Sequence, residues 1–297
     1  MDPREKIRSS ISKSGRGIEI CPVHKPVAPK KEGFRCLSLD SRSEEEIRTH
    51  LQSVPSNPPE WLERVEKIDL KGSPSDILGL VRRGGYPEAS FDYIISPHNL
   101  EHLPDPVNFL LQCQKILKPG GNLFVTMPDR RACFDYFRPF STLADLLSAH
   151  FEKRTRPTQV QIFEHRSLNA RFIRKGREFT SFPLATPPQA VTPMTFLKEA
   201  FLDWSTFEAS PDDRYRDAHC WTFTPASFEL ILRDLQFLDI ISFDISTISQ
   251  AGDDNNEIYA HLTLPLEGTR PPMEPGLFYK NRAILLRKMR MEDFEQR

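Results

Sequence analysis

Short apolar runs alternate with helical or linking segments in the first half of this chain, and this alternation limits the folds available to it. The runs that favour strands lie at 17–20, 34–39, 65–70, 91–96 and 122–127. Alternation of strands with crossovers predicts a parallel sheet with right-handed connections. We therefore predict an α/β, doubly wound fold for this half of the chain.

Helix starts can be read between these runs. Asp105 is a favourable N-cap, and Pro106 suits the first helical position. Apolar residues spaced through 107–117 give this helix an inward face. An earlier helix is predicted over 43–51, where a serine N-cap precedes an acidic first turn.

The segment 130–215 differs from what precedes it. It is rich in Arg, Phe, Thr and Pro and shows no clear strand pattern. Helical periodicity at 142–151 and at 194–204 predicts an inserted helical segment that covers the ligand face. We expect this insertion to act as a lid or substrate segment.

The last third of the chain predicts the completion of the sheet. A helix over 223–235, with Thr224 as its N-cap, precedes apolar runs at 237–246 and 257–265. These runs predict an antiparallel hairpin, which makes a mostly parallel seven-stranded sheet. The tail, 266–297, ends in a basic amphipathic helix, and we expect residues 1–297 to form one domain.

Composition excludes several classes of protein. A formal net charge of -1 argues against a nucleic-acid partner, because phosphate neutralisation requires a basic excess. The longest apolar runs are too short for a membrane span, which needs about 18 residues. The polar amino-terminal residues do not resemble a secretion signal, so we expect a cytoplasmic protein. Five cysteines without a C-x-x-C pair predict reduced thiols rather than disulfides or structural zinc.

Polar residues follow the predicted strands where a parallel sheet binds its ligands. In open α/β sheets that place is the edge formed by the carboxyl ends of the strands. The chain has no P-loop and no G-x-G-x-x-G after a strand, so phosphate cradling is not indicated. The residues at the predicted strand ends are Glu19, Asp40, Asp69, Ser96, His98 and Asp129.

Three motifs within 91–128 occur together: an F-D-apolar strand, an E-H-L-P-D-P turn and an L-K-P-G-G loop before an apolar strand. Together they resemble the second half of the class I S-adenosylmethionine-dependent methyltransferases, and the resemblance extends from about Gly15 to Leu264. The stretches 128–139 and 217–228 also resemble a bacterial subgroup associated with glycan or secondary-metabolite biosynthesis. The resemblance implies a Rossmann-like methyltransferase fold and S-adenosyl-L-methionine as cofactor.

The family assigns cofactor-binding roles to the strand-end residues. Glu19 would orient the loop that binds the methionine portion, Asp40 would accept the ribose hydroxyls, and Ser96 and His98 would lie near the sulfonium. Asp69 with Leu70 would contact the adenine. Each carboxylate has an alternative role as a salt-bridge partner, a helix cap or a loop residue.

Cys21 departs from the family pattern, because a glycine is usual in this loop. Glycine serves there for a positive φ or for a close approach of backbone to ligand. A Cβ and a sulfur atom would crowd the methionine end of the cofactor. If φ is positive, the strain would be about 1–2 kcal/mol.

Methyl transfer to a hydroxyl needs proximity and a base, and histidine suits the second need. We predict His98, His219 and Asp129 as catalytic, with His102 as an alternative base or a core histidine. Arginines near the strand ends suit an anionic substrate. The predicted substrate-binding residues are Arg130, Arg131, Asp135, Arg138 and His165.

Asp217-x-His219 with another carboxylate could hold a divalent metal, but the spacing does not diagnose one and a hydrogen-bonded structural pair is favoured, so no metal is predicted. The leading hypothesis is O-methylation of a sugar or small metabolite by in-line displacement. The alternatives are a binding or scaffold protein without turnover and a non-methyl-transfer enzyme that uses the same pocket. The predicted partner is a small molecule or glycan, and a homodimer is compatible with the sequence.

Overall fold

A computed structural model describes residues 2–209, 215–252, 254–266 and 273–294 of the 297-residue chain. Its strands are β1 (Arg16–Ile20), β2 (Arg35–Asp40), β3 (Leu70–Lys71), β4 (Phe91–Pro97), β5 (Leu117–Pro128), β6 (Ala170–Arg174), β7 (Arg177–Phe179), β8 (Val191–Pro193), β9 (Asp244–Ala251) and β10 (Glu257–Thr263). Its α-helices are α1 (Pro3–Ser10), α2 (Glu44–Ser53), α3 (Glu60–Glu63), α4 (Ile77–Arg83), α5 (Pro106–Ile116), α6 (Leu143–Phe151), α7 (Gln159–Ser167), α8 (Leu197–Ala209), α9 (Pro225–Phe237) and α10 (Pro275–Phe294).

Seven strands form one sheet in the order β3-β2-β1-β4-β5-β10-β9. The first five are parallel, and β10 pairs antiparallel with both β5 and β9. The prediction of a mostly parallel seven-stranded sheet that ends in an antiparallel hairpin is confirmed. Because β1 and β4 are neighbours while the chain leaves them in opposite directions, their carboxyl ends flank a topological switch point.

The two faces of the sheet are covered differently. The larger apolar core lies between the sheet and α4, α5, α6 and α9. On the opposite face, α1 and the loop that follows β1 pack Ile7, Val27 and Phe34 against Tyr93 and Phe124. The crossover from β1 to β2 is this loop with a single 3₁₀ turn at Lys30–Glu32. The loop therefore does the covering that a helix does in the other crossovers of the first five strands.

The third strand is shorter than predicted, because side chains of α2 bind the backbone that precedes it. The Arg48 guanidinium donates to the carbonyls of Leu62 and Val65, and the Glu44 carboxylate accepts from the Ile68 amide. Residues 65–68 consequently lie outside the sheet, and pairing with β2 begins only at Leu70.

The first strand of the hairpin also differs from the prediction of 237–246. Helix α9 continues to Phe237, and β9 begins at Asp244. Between them, Ile241 and Phe243 are buried in the core, whereas Leu238 is exposed, and the segment 238–243 belongs to no assigned strand. The apolar residues of this segment therefore reflect burial in the core rather than a β-strand.

The insertion contains α6, α7 and α8 and also a sheet that was not predicted, in the order β7-β6-β8. Lys175 and Gly176 connect β6 to β7 with φ values of 50° and 72°. Two successive positive φ values are typical of a two-residue hairpin turn. The Lys-Gly pair between two short apolar runs was the available signal. Part of the insertion, 210–214, and part of the tail, 267–272 and 295–297, lie outside the described residues.

Candidate functional site

The loop after β1 is bound to the strand by Glu19. Its buried carboxylate accepts hydrogen bonds from the backbone amides of Val27 at 2.6 Å and Ala28 at 3.0 Å. Burial raises the pKa of Glu19 to about 7 against the lowering effect of these two hydrogen bonds. Glu19 thus fixes the path of residues 21–28 and contributes to the shape of the cleft rather than facing it.

Cys21 has the backbone conformation that glycine favours, with φ at 48°, and Val23 has a φ of 46°. For a residue with a Cβ this conformation costs about 1–2 kcal/mol. The Cys21 side chain packs partly against the core and lies beside Asp40, and burial raises the pKa of its thiol to about 12. The loop therefore retains a glycine-like course despite the substitution.

Asp40 lies at the carboxyl end of β2, where the prediction placed it. Its Oδ1 accepts from the Arg42 amide at 2.9 Å and from Arg42 Nε at 3.3 Å. The Asp40 side chain is 1% exposed, whereas that of Arg42 is 38% exposed. Arg42 is thus the exposed partner, and its guanidinium would have to leave Asp40 before both carboxylate oxygens could accept from a ligand.

Asp69 and Leu70 are not at the carboxyl end of their strand. Asp69 precedes β3, and its carboxylate binds Lys30 Nζ at 2.5 Å and the Ser38 amide at 2.8 Å. The Leu70 side chain is buried in the core. The predicted placement of these two residues is corrected: the chain leaves β3 at Gly72.

The fourth strand ends as predicted at Ser96 and His98. The Ser96 hydroxyl is buried and accepts from the Asn99 amide group at 3.0 Å. His98 lies between two carboxylates, with Nε2 3.1 Å from Glu257 and Nδ1 3.5 Å from Glu101. Burial would lower the pKa of His98, but these carboxylates raise it to about 10. A protonated imidazole cannot accept a proton, so His98 would act as a base only after losing this one, and its catalytic role stays a prediction.

Asp129 and the two arginines after it are structural. Asp129 is fully buried, and its oxygens bind Arg131 at 2.7 Å and Gln250 at 3.0 Å. The Arg130 guanidinium binds the Tyr136 carbonyl and pairs with Asp293 of α10. These contacts connect the loop after β5 to the hairpin and the last helix. The predicted catalytic role of Asp129 and the substrate roles of both arginines stay predictions, and these contacts give all three residues a structural role as well.

The remaining candidate residues meet, together with Glu101, in one group that we call the acid–histidine cluster: Glu101, His102, Asp135, Arg138, His165, Asp217 and His219. His219 Nδ1 lies 2.5 Å from Asp135 Oδ2, and Arg138 donates to the other Asp135 oxygen at 2.7 Å. Burial would raise the pKa of Asp135, but the hydrogen bond from His219 and the charge of Arg138 lower it. Asp135 is therefore an ionised acceptor that orients the His219 ring.

Glu101 is the member of the cluster that was not predicted as a site residue. It is 2% exposed, and within the described part of the chain neither carboxylate oxygen has a hydrogen-bond partner. Burial would raise the pKa of Glu101, but the His98 imidazole lowers it, so the group is charged. The E-H pair in the E-H-L-P-D-P turn was the signal in the sequence.

Two cavities adjoin these residues. One of about 550 Å³ lies at the ends of β4 and β5 and is lined by Arg4 of α1, Val27, His98, Thr126 and Glu257 among others. The other, of about 590 Å³, lies on the insertion and is lined by His165, Asp217, Tyr215 and Phe196 among others. The acid–histidine cluster thus has a ligand-sized space on its insertion side.

The residues at the ends of β1 and β2 fit the cofactor that the family uses. A buried carboxylate with two acceptor oxygens, Asp40, ends β2, and the β1 loop has a glycine-like backbone at Cys21. A doubly wound sheet in the order β3-β2-β1-β4-β5-β10-β9, with acceptors at these strand ends, defines the Rossmann-like methyltransferase fold. Residues 3–242 match a family model described as a methyltransferase domain. The chain belongs to this methyltransferase domain family.

Comparison with individual proteins gives partial matches. A ubiquinone biosynthesis O-methyltransferase of Caulobacter vibrioides is 31% identical over 98 residues, which are 33% of this chain and 34% of that protein. Its counterpart in Acinetobacter baumannii is 28% identical over 95 residues, 32% of this chain and 35% of that protein. The matched region thus spans about a third of the length of these curated relatives.

Solved structures that align with this chain include an S-adenosylmethionine-dependent methyltransferase from Mesorhizobium loti. It has 13% sequence identity and a TM-score of 0.43, with 87% of this chain and 96% of that chain covered. A methyltransferase from Aquifex aeolicus has 11% identity and a TM-score of 0.37, with 89% and 90% covered. Separately, none of the helices in the described residues is long and apolar enough to cross a membrane.

Proposed function

We propose that this chain is an S-adenosylmethionine-dependent methyltransferase that methylates a hydroxyl oxygen on a small molecule such as a sugar or other metabolite. The observation that carries the proposal is the buried hydrogen bond between Asp135 and His219 beyond the carboxyl ends of the sheet. The family match and the name of the partial relatives, O-methyltransferases, support the same reaction.

The cofactor, when bound, supplies an electrophilic methyl group. The chain's own residues would bind and orient the two reactants. Asp40 at the end of β2 would accept the ribose hydroxyls after Arg42 moves aside, and Glu19 keeps the β1 loop in place. Burial of the reacting groups beneath the insertion would exclude water.

The acceptor hydroxyl would lie against the acid–histidine cluster. When the neutral His219 ring donates its Nδ1 hydrogen to Asp135, Nε2 carries the lone pair. An unprotonated nitrogen at this place can take the hydroxyl proton directly or bind a cation that lowers the pKa of the hydroxyl. Either role makes the oxygen a better nucleophile for in-line transfer.

Calorimetric titration of the purified full chain with S-adenosylmethionine and S-adenosylhomocysteine tests the proposal, after mass spectrometry shows no carried-over ligand. Asp40→Ala should weaken binding at least tenfold, about 1.4 kcal/mol. The matched control is Glu88→Ala, which removes an exposed carboxylate before β4, at the opposite edge of the sheet.

The same purified protein can be used to search for the methyl acceptor. Transfer of a labelled methyl group to hydroxyl-bearing sugars and metabolites, lost in Asp135→Asn, would support O-methylation at the cluster. A folded, ligand-free chain that binds neither compound would contradict the proposal and favour a scaffold without turnover. Cofactor consumption without a methylated product would favour the non-methyl reaction.

A further inference from the structure

The Glu101 carboxylate is buried in the middle of the acid–histidine cluster, and within the described residues neither of its oxygens accepts a hydrogen bond. A buried carboxylate without hydrogen bonds is costly, because neither water nor a donor replaces its lost hydration. Its nearest cationic group is His98 Nδ1 at 3.5 Å, and that imidazole also faces Glu257. We propose that Glu101, His102 and His219 bind one divalent transition-metal ion.

The three side chains converge as metal ligands do. One ligand atom from each lies within 4.8 Å of the others, and the two imidazole centroids are 4.7 Å apart. Bond lengths of about 2.0–2.2 Å require ligand atoms roughly 3–3.5 Å apart, so the group must close by about 1 Å. That adjustment is within the reach of side-chain rotation for His102, which is partly exposed.

The outer contacts of both histidines match those of metal-binding imidazoles. Nδ1 of His102 lies 3.0 Å from Asp217, and Nδ1 of His219 lies 2.5 Å from Asp135. A carboxylate on one ring nitrogen fixes the tautomer and leaves the other nitrogen for the metal. Two such pairs around one carboxylate make an arrangement of two histidines and one carboxylate with open positions.

A second group of possible ligands, Asp135, His165 and His219, is less suited to a cation. Both oxygens of Asp135 already accept hydrogen bonds, from His219 and from Arg138. The oxygens of Glu101 accept none within the described residues. Glu101 is therefore the carboxylate that gains most from a bound cation.

Charge favours a divalent ion. The carboxylates of Glu101, Asp135 and Asp217 face the Arg138 guanidinium within the cluster and the protonated His98 beside it, which leaves one negative charge when the cluster's imidazoles are neutral. Imidazole nitrogen suits zinc, cobalt, iron or nickel rather than magnesium, calcium or manganese, which prefer oxygen ligands. The cavity lined by His165 and Asp217 offers a route from solvent and room for an acceptor oxygen on the open positions. The catalytic use of the ion rests on the proposed function, whereas its binding does not.

Titration of the chelator-treated full chain with Co²⁺, followed by visible absorption and by calorimetry with Zn²⁺, tests the site. We expect one ion per chain and a d–d absorption band. Glu101→Gln and His219→Gln should weaken binding at least 100-fold, about 2.8 kcal/mol. His50→Gln, which removes an exposed histidine on α2, should leave affinity unchanged.

If a variant of a buried ligand does not fold, Asp217→Asn tests the site instead, because Asp217 is exposed and contacts the site through His102. It should weaken binding about tenfold or more. Absence of a stoichiometric ion in the wild-type chain, or equal binding by Glu101→Gln and wild type, would overturn the proposal. Stoichiometric, Glu101-dependent binding in a chain that transfers no methyl group would uphold the metal site and reject the proposed function.

Discussion

Asp217 Oδ1 lies 3.0 Å from Nδ1 of His102, although the sequence places Asp217 two residues before His219. His219 instead pairs with Asp135, which lies 84 positions earlier in the chain. The predicted pairing within Asp217-x-His219 is therefore replaced by two crossed pairs. Each pair connects the core sheet's ligand edge to the segment just before α9, so the cluster forms only when both parts are folded together.

Replacing Asp135 with Asn should damage both stability and activity. The change removes the charged acceptor of the buried His219 ring and leaves the Arg138 guanidinium with the Glu164 carboxylate at 4.0 Å, which costs about 3 kcal/mol. Urea unfolding measures this loss, and methyl transfer to an identified acceptor should fall at least tenfold in the folded variant. The control is Asp203→Asn in α8, whose exposed ion pair with Arg166 should contribute less than about 1 kcal/mol. Equal losses in both variants would contradict the assigned role of Asp135.

The strain at Cys21 can be measured by comparing two variants. Cys21→Ala removes the thiol and keeps the Cβ, whereas Cys21→Gly removes both. Because φ is 48°, Gly should be more stable than Ala by about 1 kcal/mol, after the greater chain entropy of glycine is subtracted. Thermal unfolding gives this difference, and equal stability of the two variants would argue against strain.

The same pair of variants separates strain from crowding at the cofactor. If the thiol crowds the methionine end, both variants should bind S-adenosylmethionine more tightly than the wild type in calorimetric titration. If both bind less tightly, Cys21 is adapted to its ligand and the thiol makes a favourable contact.

Glu19 should make stability depend on pH. Its pKa is about 7 in the folded chain, raised by burial from 4.5, so the folded state retains a proton that the unfolded state releases between these values. The free energy of unfolding should therefore fall as pH rises through this window, by about 3 kcal/mol in total. Urea unfolding between about pH 5 and about pH 8 measures it. In Glu19→Gln this component should be missing, and parallel profiles for the two proteins would contradict the prediction.

Gly17 should tolerate no side chain. A Cβ there would lie 1.9 Å from the ring of Tyr93, which is 1% exposed and packed between β1 and the core of the second face. Overpacking of this kind costs about 1–3 kcal/mol or more, so Gly17→Ala should lower the melting temperature markedly. A double-mutant cycle with Tyr93→Ala should show coupling, because removal of the ring makes room for the Cβ. Additive effects would show that the ring is not the obstacle.

The elements that were predicted correctly are those whose signals are local. Ser43 and Thr224 cap α2 and α9 as expected, and Asp105 with Pro106 begins α5. β3 was misplaced because the side chains of Arg48 and Glu44, rather than a strand, satisfy the backbone before it. Hydrogen bonds between a backbone segment and side chains far away in the sequence produce no periodic pattern from which they could be predicted.

The candidate site also contains features that local sequence signals predict and features that depend on distant residues. The strand-end positions of Asp40, Ser96 and His98 follow from the sheet topology, which could be predicted from the sequence. Whether a side chain faces the ligand was not readable, because it depends on partners far along the chain. Asp129 is turned inward by Arg131 and Gln250, and His98 is protonated because Glu257, on the last strand of the sheet, lies beside it.

Both ends of the described chain take part in the ligand edge. Arg4 of α1 lines the cavity at the ends of β4 and β5, while Asp293 of α10 pairs with Arg130, and Glu292 accepts from the Ala226 amide at the start of α9. An affinity tag or reporter inserted next to Arg4 or Asp293 would thus lie beside the functional edge. Fusion partners should be attached through long flexible linkers, and surface labels for fluorescence are better placed on the exposed turn between β6 and β7.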